Sequence, residues 1–86
     1  MTPRQIELAR HALGLRPGCL VSRRNADTLP RDNPDWPHWR SMVEAGLARQ
    51  VDDPAIPFGM TMFRLTRAGA ERALLPGDVL DPEDWP

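Results

Sequence analysis
Few side chains in this 86-residue chain have the type and spacing to do chemistry, and they fall into three groups. The first is Cys19 with His11 and His38. His11 lies within a helical pattern and His38 near a helix start, and no spacing in the sequence ties either one to Cys19. Two histidines and one cysteine, with no His-x-x-x-His pair, make a poor zinc site without added carboxylates. Gly14, Gly18 and Gly59 are isolated, so no glycine-rich loop is present to cradle a phosphate. Cys19 opens the apolar run Cys19-Leu20-Val21, where a cysteine is expected as a small buried hydrophobe, a reactive thiol being the alternative. The expectation is no catalytic residue, no metal, no cofactor and no small-molecule substrate.

The second group is Arg23-Arg24-Asn25, joined by Trp36 and Arg40. Guanidinium groups present planar donors suited to phosphate or carboxylate, and an asparagine can read an adenine edge or cap a turn. Their structural alternative is ion pairing of an arginine with the acidic tail or with Asp32 and Asp35, with Asn25 holding a turn. Trp36 precedes Pro37 and is either exposed, as a protein interface or base-stacking platform, or packed into a Trp–Pro corner. The third group is the C-terminal segment, where Asp81, Glu83 and Asp84 surround Trp85. A solvated tail has no use for a tryptophan. Leu80 and Trp85 are therefore expected to dock on the domain or on a partner, with the acids turned outward or toward Arg23 and Arg24. These nine residues (Arg23, Arg24, Asn25, Trp36, Arg40, Asp81, Glu83, Asp84 and Trp85) are the candidate partner-binding set.

Charge sets limits on what they bind. All eleven basic residues are arginine. Residues 1–49 carry eight arginines against five acids, and residues 50–86 carry three against seven, so an arginine-bearing front faces an acidic end. The net charge of −1 differs from the strong basic excess of a dedicated nucleic-acid binder. One cysteine excludes an intramolecular disulfide framework. No apolar run approaches the roughly 20 residues of a membrane span. A small cytoplasmic domain is expected.

The elements that must position these groups follow from local chemistry. Thr2 and Gln5 form a capping-box pair with Pro3 at the first helical position, and Ile6, Ala9 and Leu13 share a stripe, predicting a helix over 2–13 that ends at Gly14. Residues 16–35 read as a turn at Arg16-Pro17-Gly18, a brief strand at Cys19-Leu20-Val21, and then an ordered loop or weak helical turn. Trp39, Met42, Val43 and Leu47 mark the inward face of a second helix starting at about 36–38 and ending at Gly46. Alternation over 47–51 and 60–65, with turn chemistry between them, predicts an antiparallel hairpin with a long tip. Thr66 caps a short third helix, with Ala68, Ala70, Ala73 and Leu74 as its apolar content, which Pro76-Gly77 ends. The predicted core joins Ile6, Leu13, Trp39, Met42, Val43, Leu47, Phe63 and Leu65. Residues 1–76 form one domain, and 77–86 an extended acidic tail.

The run Met42-Val43-Glu44-Ala45-Gly46-Leu47, a hairpin, and Phe63-Arg64-Leu65-Thr66-Arg67-Ala68-Gly69 resembles the closing portion of MarR-type winged helix-turn-helix domains. In those regulators the recognition helix runs into a Gly-Leu turn, the wing follows, and a Leu-Thr-x-x-Gly segment leaves the second wing strand. The resemblance covers residues 36–75 and implies a small α+β, winged-helix-like fold in the order helix, loop, helix, β-hairpin, helix. This chain departs from the family where duplex DNA would bind: Glu44 lies on the candidate recognition helix and Asp52 and Asp53 on the wing tip. A second resemblance spans the chain. Thr2-Pro3-Arg4-Gln5, His11-Ala12-Leu13-Gly14-Leu15, Arg24-Asn25, Trp39 with the Met42–Leu47 run, and Leu65-Thr66-Arg67-Ala68-Gly69 look like small uncharacterised phage and prophage proteins. It implies a non-enzymatic accessory protein in a bacterial host cytoplasm that binds a protein or nucleoprotein, as inhibitors of host factors or of defence complexes (anti-CRISPR proteins among them) do. The alternative is a winged-helix DNA-binding transcriptional regulator.

Overall fold
The Thr2 hydroxyl accepts from the Gln5 amide while Gln5 Oε1 accepts from the Thr2 amide, and this reciprocal cap starts helix α1, Pro3–Leu13. Four further elements of the computed structural model, which describes residues 1–86, follow the order expected: α2 Trp36–Glu44, β2 Ala48–Val51, β3 Met60–Leu65 and α3 Arg67–Arg72. The sixth does not. Residues 22–34, expected as a loop or weak helical turn, contain a strand, β1 Asp27–Pro30. It pairs antiparallel with β3, from Asp27 opposite Phe63 to Pro30 opposite Met60. The sheet is thus three-stranded, in the order β1-β3-β2. A four-residue run containing Asp and Pro has little strand propensity of its own. Its pairing partner lies thirty or more residues away, so β3 supplies the stability that local sequence lacks.

α1 and α2 end by the same device. Gly14 and Gly46 both take φ of 76°, a left-handed conformation that glycine reaches without steric cost, and Leu15 and Leu47 fold back as buried residues. The helices pack on one face of the sheet. Phe63 is fully buried there, stacked on Trp39 with ring centroids 5.5 Å apart and met edge-on by Trp36 at 6.0 Å. Trp39 Nε1–H donates to Asp27 Oδ2 at 3.1 Å and ties α2 to β1. The Arg4 guanidinium holds both Asp35 oxygens, at 2.8 and 2.9 Å, and ties α1 to the entry of α2. Of the predicted core, Leu13, Trp39, Met42, Leu47, Phe63 and Leu65 are buried, whereas Ile6 and Val43 are only half-buried and Leu8 takes the deeper place on α1.

Gly69 explains how α3 docks. The Thr66 side chain caps α3 by accepting from the Gly69 amide. A Cβ at position 69 would lie 1.8 Å from the Leu47 carbonyl oxygen, so only glycine permits this approach. The C-terminal residues are docked rather than solvating. Val79 bridges Val21 in parallel, with Val79 N–H donating to Leu20 O and Ser22 N–H to Val79 O. The buried Ser22 hydroxyl accepts from the Asp81 amide at 2.8 Å. Beyond it the segment departs from the extended form expected: the Asp84 and Trp85 amides both donate to Asp81 O, closing a turn. Proline at 82 does not oppose this, because the amide it lacks is not one the turn uses. No helix is long and apolar enough to cross a membrane.

Candidate functional site: an arginine-lined concavity on the open sheet face
Side chains alternate across a strand, so burying Phe63 and Leu65 turns Met60, Met62 and Arg64 to the other face of the sheet. The β2–β3 register sets Arg49 directly opposite Arg64 and Val51 opposite Met62. On this outer face the methionines and Val51 are half-buried, and both arginines are exposed. At the hairpin tip Phe58 is fully exposed. An apolar strip therefore runs from the tip toward a basic end.

That basic end is concave. A cavity of about 450 Å³ is lined by Arg23, Arg24, Asn25, Ala26, Arg49, Arg64, Leu65, Asp84 and Trp85. Four arginines thus line one depression with a single acidic residue. The segment Arg23-Arg24-Asn25 is held in place by backbone. Arg23 N–H donates to Leu13 O at 3.0 Å, and its stem crosses over Gly14, where a Cβ would meet Arg23 Cγ at 2.7 Å. Arg24 donates from Nε and Nη2 to His11 O at the end of α1. Asn25 brackets Leu65 with both ends of its amide, Nδ2 to the carbonyl at 3.0 Å and Oδ1 from the N–H at 2.9 Å, which extends the β1–β3 ladder by a side chain. Its amide is spent on the fold and is not free to read a base.

The other candidate residues divide. Trp36 is half-buried under the Arg31 guanidinium, 5.1 Å from its ring centre, and forms the packed corner rather than an exposed platform. Arg40 is half-buried and donates to Gln50 Oε1 at 2.5 Å, so it is not a free outward arm of α2. Trp85 packs against the core with the Arg67 guanidinium 5.9 Å above its ring, and its Nε1–H is buried without a hydrogen-bond partner. Asp81 Oδ1 accepts from the Glu83 amide, and Glu83 and Asp84 are exposed. None of the acids at 81, 83 and 84 forms an ion pair with Arg23 or Arg24. The tail's ion pair lies elsewhere: Asp78 is buried against Arg10 and also accepts from the Leu75 amide. Arg10 first, and then that amide, hold the Asp78 carboxyl below the usual carboxylate range.

So the structure brings Arg23, Arg24, Asn25, Asp84 and Trp85 to one place and leaves Trp36 and Arg40 outside it. Arg49 and Arg64 join them, though neither was among the residues singled out from sequence. Strand alternation carries the signal that finds them: with Ala48, Phe63 and Leu65 inward, both arginines must point out. Electrostatically the depression is an array of donors with one carboxylate, that of Asp84. Guanidinium groups do not deprotonate in proteins, and one exposed carboxylate has no acid or nucleophile beside it to work with. Comparison with protein-family models, with curated proteins and with solved structures finds no match to this chain.

Proposed function
We propose that this chain is a non-enzymatic binding module that engages a protein or nucleoprotein partner through the open face of its sheet, as a phage-type accessory protein in a bacterial cytoplasm would. Inhibition of a host factor or of a defence complex, as anti-CRISPR proteins perform it, is the role this reading suits. The observation that carries it is the pairing on one face of an apolar strip (Val51, Met60, Met62) with exposed Arg49 and Arg64, beside a fully exposed Phe58. Methionine, aromatic residues and arginine are the types enriched where proteins meet. α2, the Gly46-Leu47 turn, the hairpin and α3 support a winged-helix-like description. Against duplex binding through α2 stand Glu44, the occupied Arg40, and a hairpin tip bearing Asp52 and Asp53. Affinity capture from a bacterial lysate, with and without nuclease treatment, tests the reading. A stoichiometric partner retained by the native chain and lost from Met62→Glu, at unchanged melting temperature, is the expected result. Equal capture by both chains, or background alone, refutes it.

A further inference from the structure
We infer that the arginine-lined concavity binds the phosphates of a single-stranded nucleic acid, and that the strand is the nucleic-acid component of a nucleoprotein partner. This deepens the binding-module reading and rests on it. Arg49 and Arg64 face each other across an antiparallel pair, an arrangement that costs stability unless something between them is negative. The chain has twelve acids for eleven arginines, yet its ion pairs engage only Arg4, Arg10 and Arg67. Arg23, Arg49 and Arg64 have no carboxylate partner, as is true of other exposed arginines, but these three line one depression and leave it with positive charge that no acid of the chain pairs.

The chemistry of the anion follows from the array. Guanidinium forks match phosphate oxygens bidentately. Arg24 spends Nε and Nη2 on His11 O and so adds charge to the array but no free fork, while Arg23 is held over Gly14, so binding orders little that is not ordered already. A volume of about 450 Å³ lies within the range of small-ligand sites, which suits one stretch of backbone and not the flank of a duplex. A duplex lying along the sheet would also run toward the acids of the hairpin tip, Asp52 and Asp53. Trp85 lines the same depression as part of its wall: its ring packs against the core with the Arg67 guanidinium above it, so the groove holds a strand by its phosphates and not by stacking.

The experiment is a titration of the purified chain with a short fluorescent single-stranded DNA between about 50 and 200 mM salt, with inorganic phosphate, the matching duplex and polyglutamate as competitors. The single strand is expected to bind, and Arg49→Ala with Arg64→Ala to lower the slope of log K against log salt by about 1.4, at roughly 0.7 per lost phosphate contact. Arg72→Ala, which removes an exposed arginine outside the depression, should leave the slope unchanged; an equal drop there would reduce the effect to net charge and overturn the site. Melting curves confirm that each variant is folded. Equal competition by inorganic phosphate overturns the strand as occupant, and stronger competition by polyglutamate or duplex overturns its chemistry. A flat titration sinks the inference even where lysate capture succeeds. Strand binding lost with the two arginines supports it even where capture fails.

Discussion
The two faces of β3 make opposite use of one strand. Phe63 and Leu65 point inward and are buried, with Trp39 stacked on Phe63 and Trp36 meeting its edge. Met62 and Arg64, one residue away from each, point to an outer face that no ion pair neutralises and that remains partly open. The inner face is satisfied by the chain itself, whereas the outer face is left to something else. Alternation at period two lets six residues specify stability and recognition together, and the two can be perturbed separately.

The sharpest break is Phe63→Ala. Removing a fully buried aromatic side chain costs about 3–5 kcal/mol, a large part of the roughly 5–15 kcal/mol that holds a domain together. The matching change on the outer face, Met62→Ser, removes a half-buried side chain and should cost about 1 kcal/mol, well below the loss at Phe63. Thermal denaturation of the two variants side by side checks the contrast. Equal melting temperatures would remove the distinction between the faces.

Gly69→Ala comes next. In an open helix this change gains up to about 1 kcal/mol. Here the new methyl group falls 1.8 Å from the Leu47 carbonyl oxygen, and backbone cannot swing aside as a side chain can. Overpacking of this kind costs about 3 kcal/mol, which outweighs the propensity gain. Denaturant unfolding measures it. A stabilised variant would mean that α3 does not press on the start of β2 as described.

What could be read from the sequence divides along the same line. Capping pairs, Gly-Leu helix ends and the hairpin's alternation act over a few residues, so α1, α2, β2, β3 and α3 were legible. β1 was not, because Asp27-Thr28-Leu29-Pro30 becomes a strand only by pairing with β3. Asn25 escaped for the same reason, since its amide meets Leu65 forty residues away. The depression needs β1, the β2–β3 register and the docked tail at once. Its four arginines line one depression, but Arg49 and Arg64 lie far along the sequence from Arg23 and Arg24 and from each other. Trp85 was legible as a docking residue, because a tryptophan in an acidic tail asks for a surface.

Trp85→Ala therefore tests whether the tail belongs with the satisfied side of the molecule. Its ring is half-buried and carries Arg67 above it, so roughly half the loss of a core aromatic, about 1.5–2.5 kcal/mol, is expected in thermal stability. No change would show the tail to be inert. A pH series adds a second reading of the same segment. Arg10 and the Leu75 amide depress the folded Asp78 carboxyl below its ordinary value of 3.8. A depressed folded pKa contributes stability that is present above that value and lost as the pH falls through the lower, folded one. Asp78→Asn should remove this component, leaving a shallower loss of melting temperature below about pH 4 than the native chain shows. Parallel curves would place the acid sensitivity elsewhere.

The smallest expected effect has the opposite sign. Arg49 and Arg64 are directly opposed on exposed strands, and like charges so placed destabilise a sheet by a few tenths of a kcal/mol up to about 1. Arg49→Thr removes the repulsion and puts a residue of high strand propensity in its place, so the variant should be slightly more stable than the native chain. Salt separates the two causes. Repulsion between exposed charges is screened over about 10 Å at 0.1 M and about 3 Å at 1 M. The electrostatic part of the gain should therefore shrink at high salt, while the propensity part persists. A gain that fades with salt, in the variant that also loses single-strand binding, would show stability given up at this position for recognition, the trade-off expected of a functional site. A variant less stable than the native chain at low salt would mean that Arg49 has a partner within the fold, and that the outer face is no more open than the inner one.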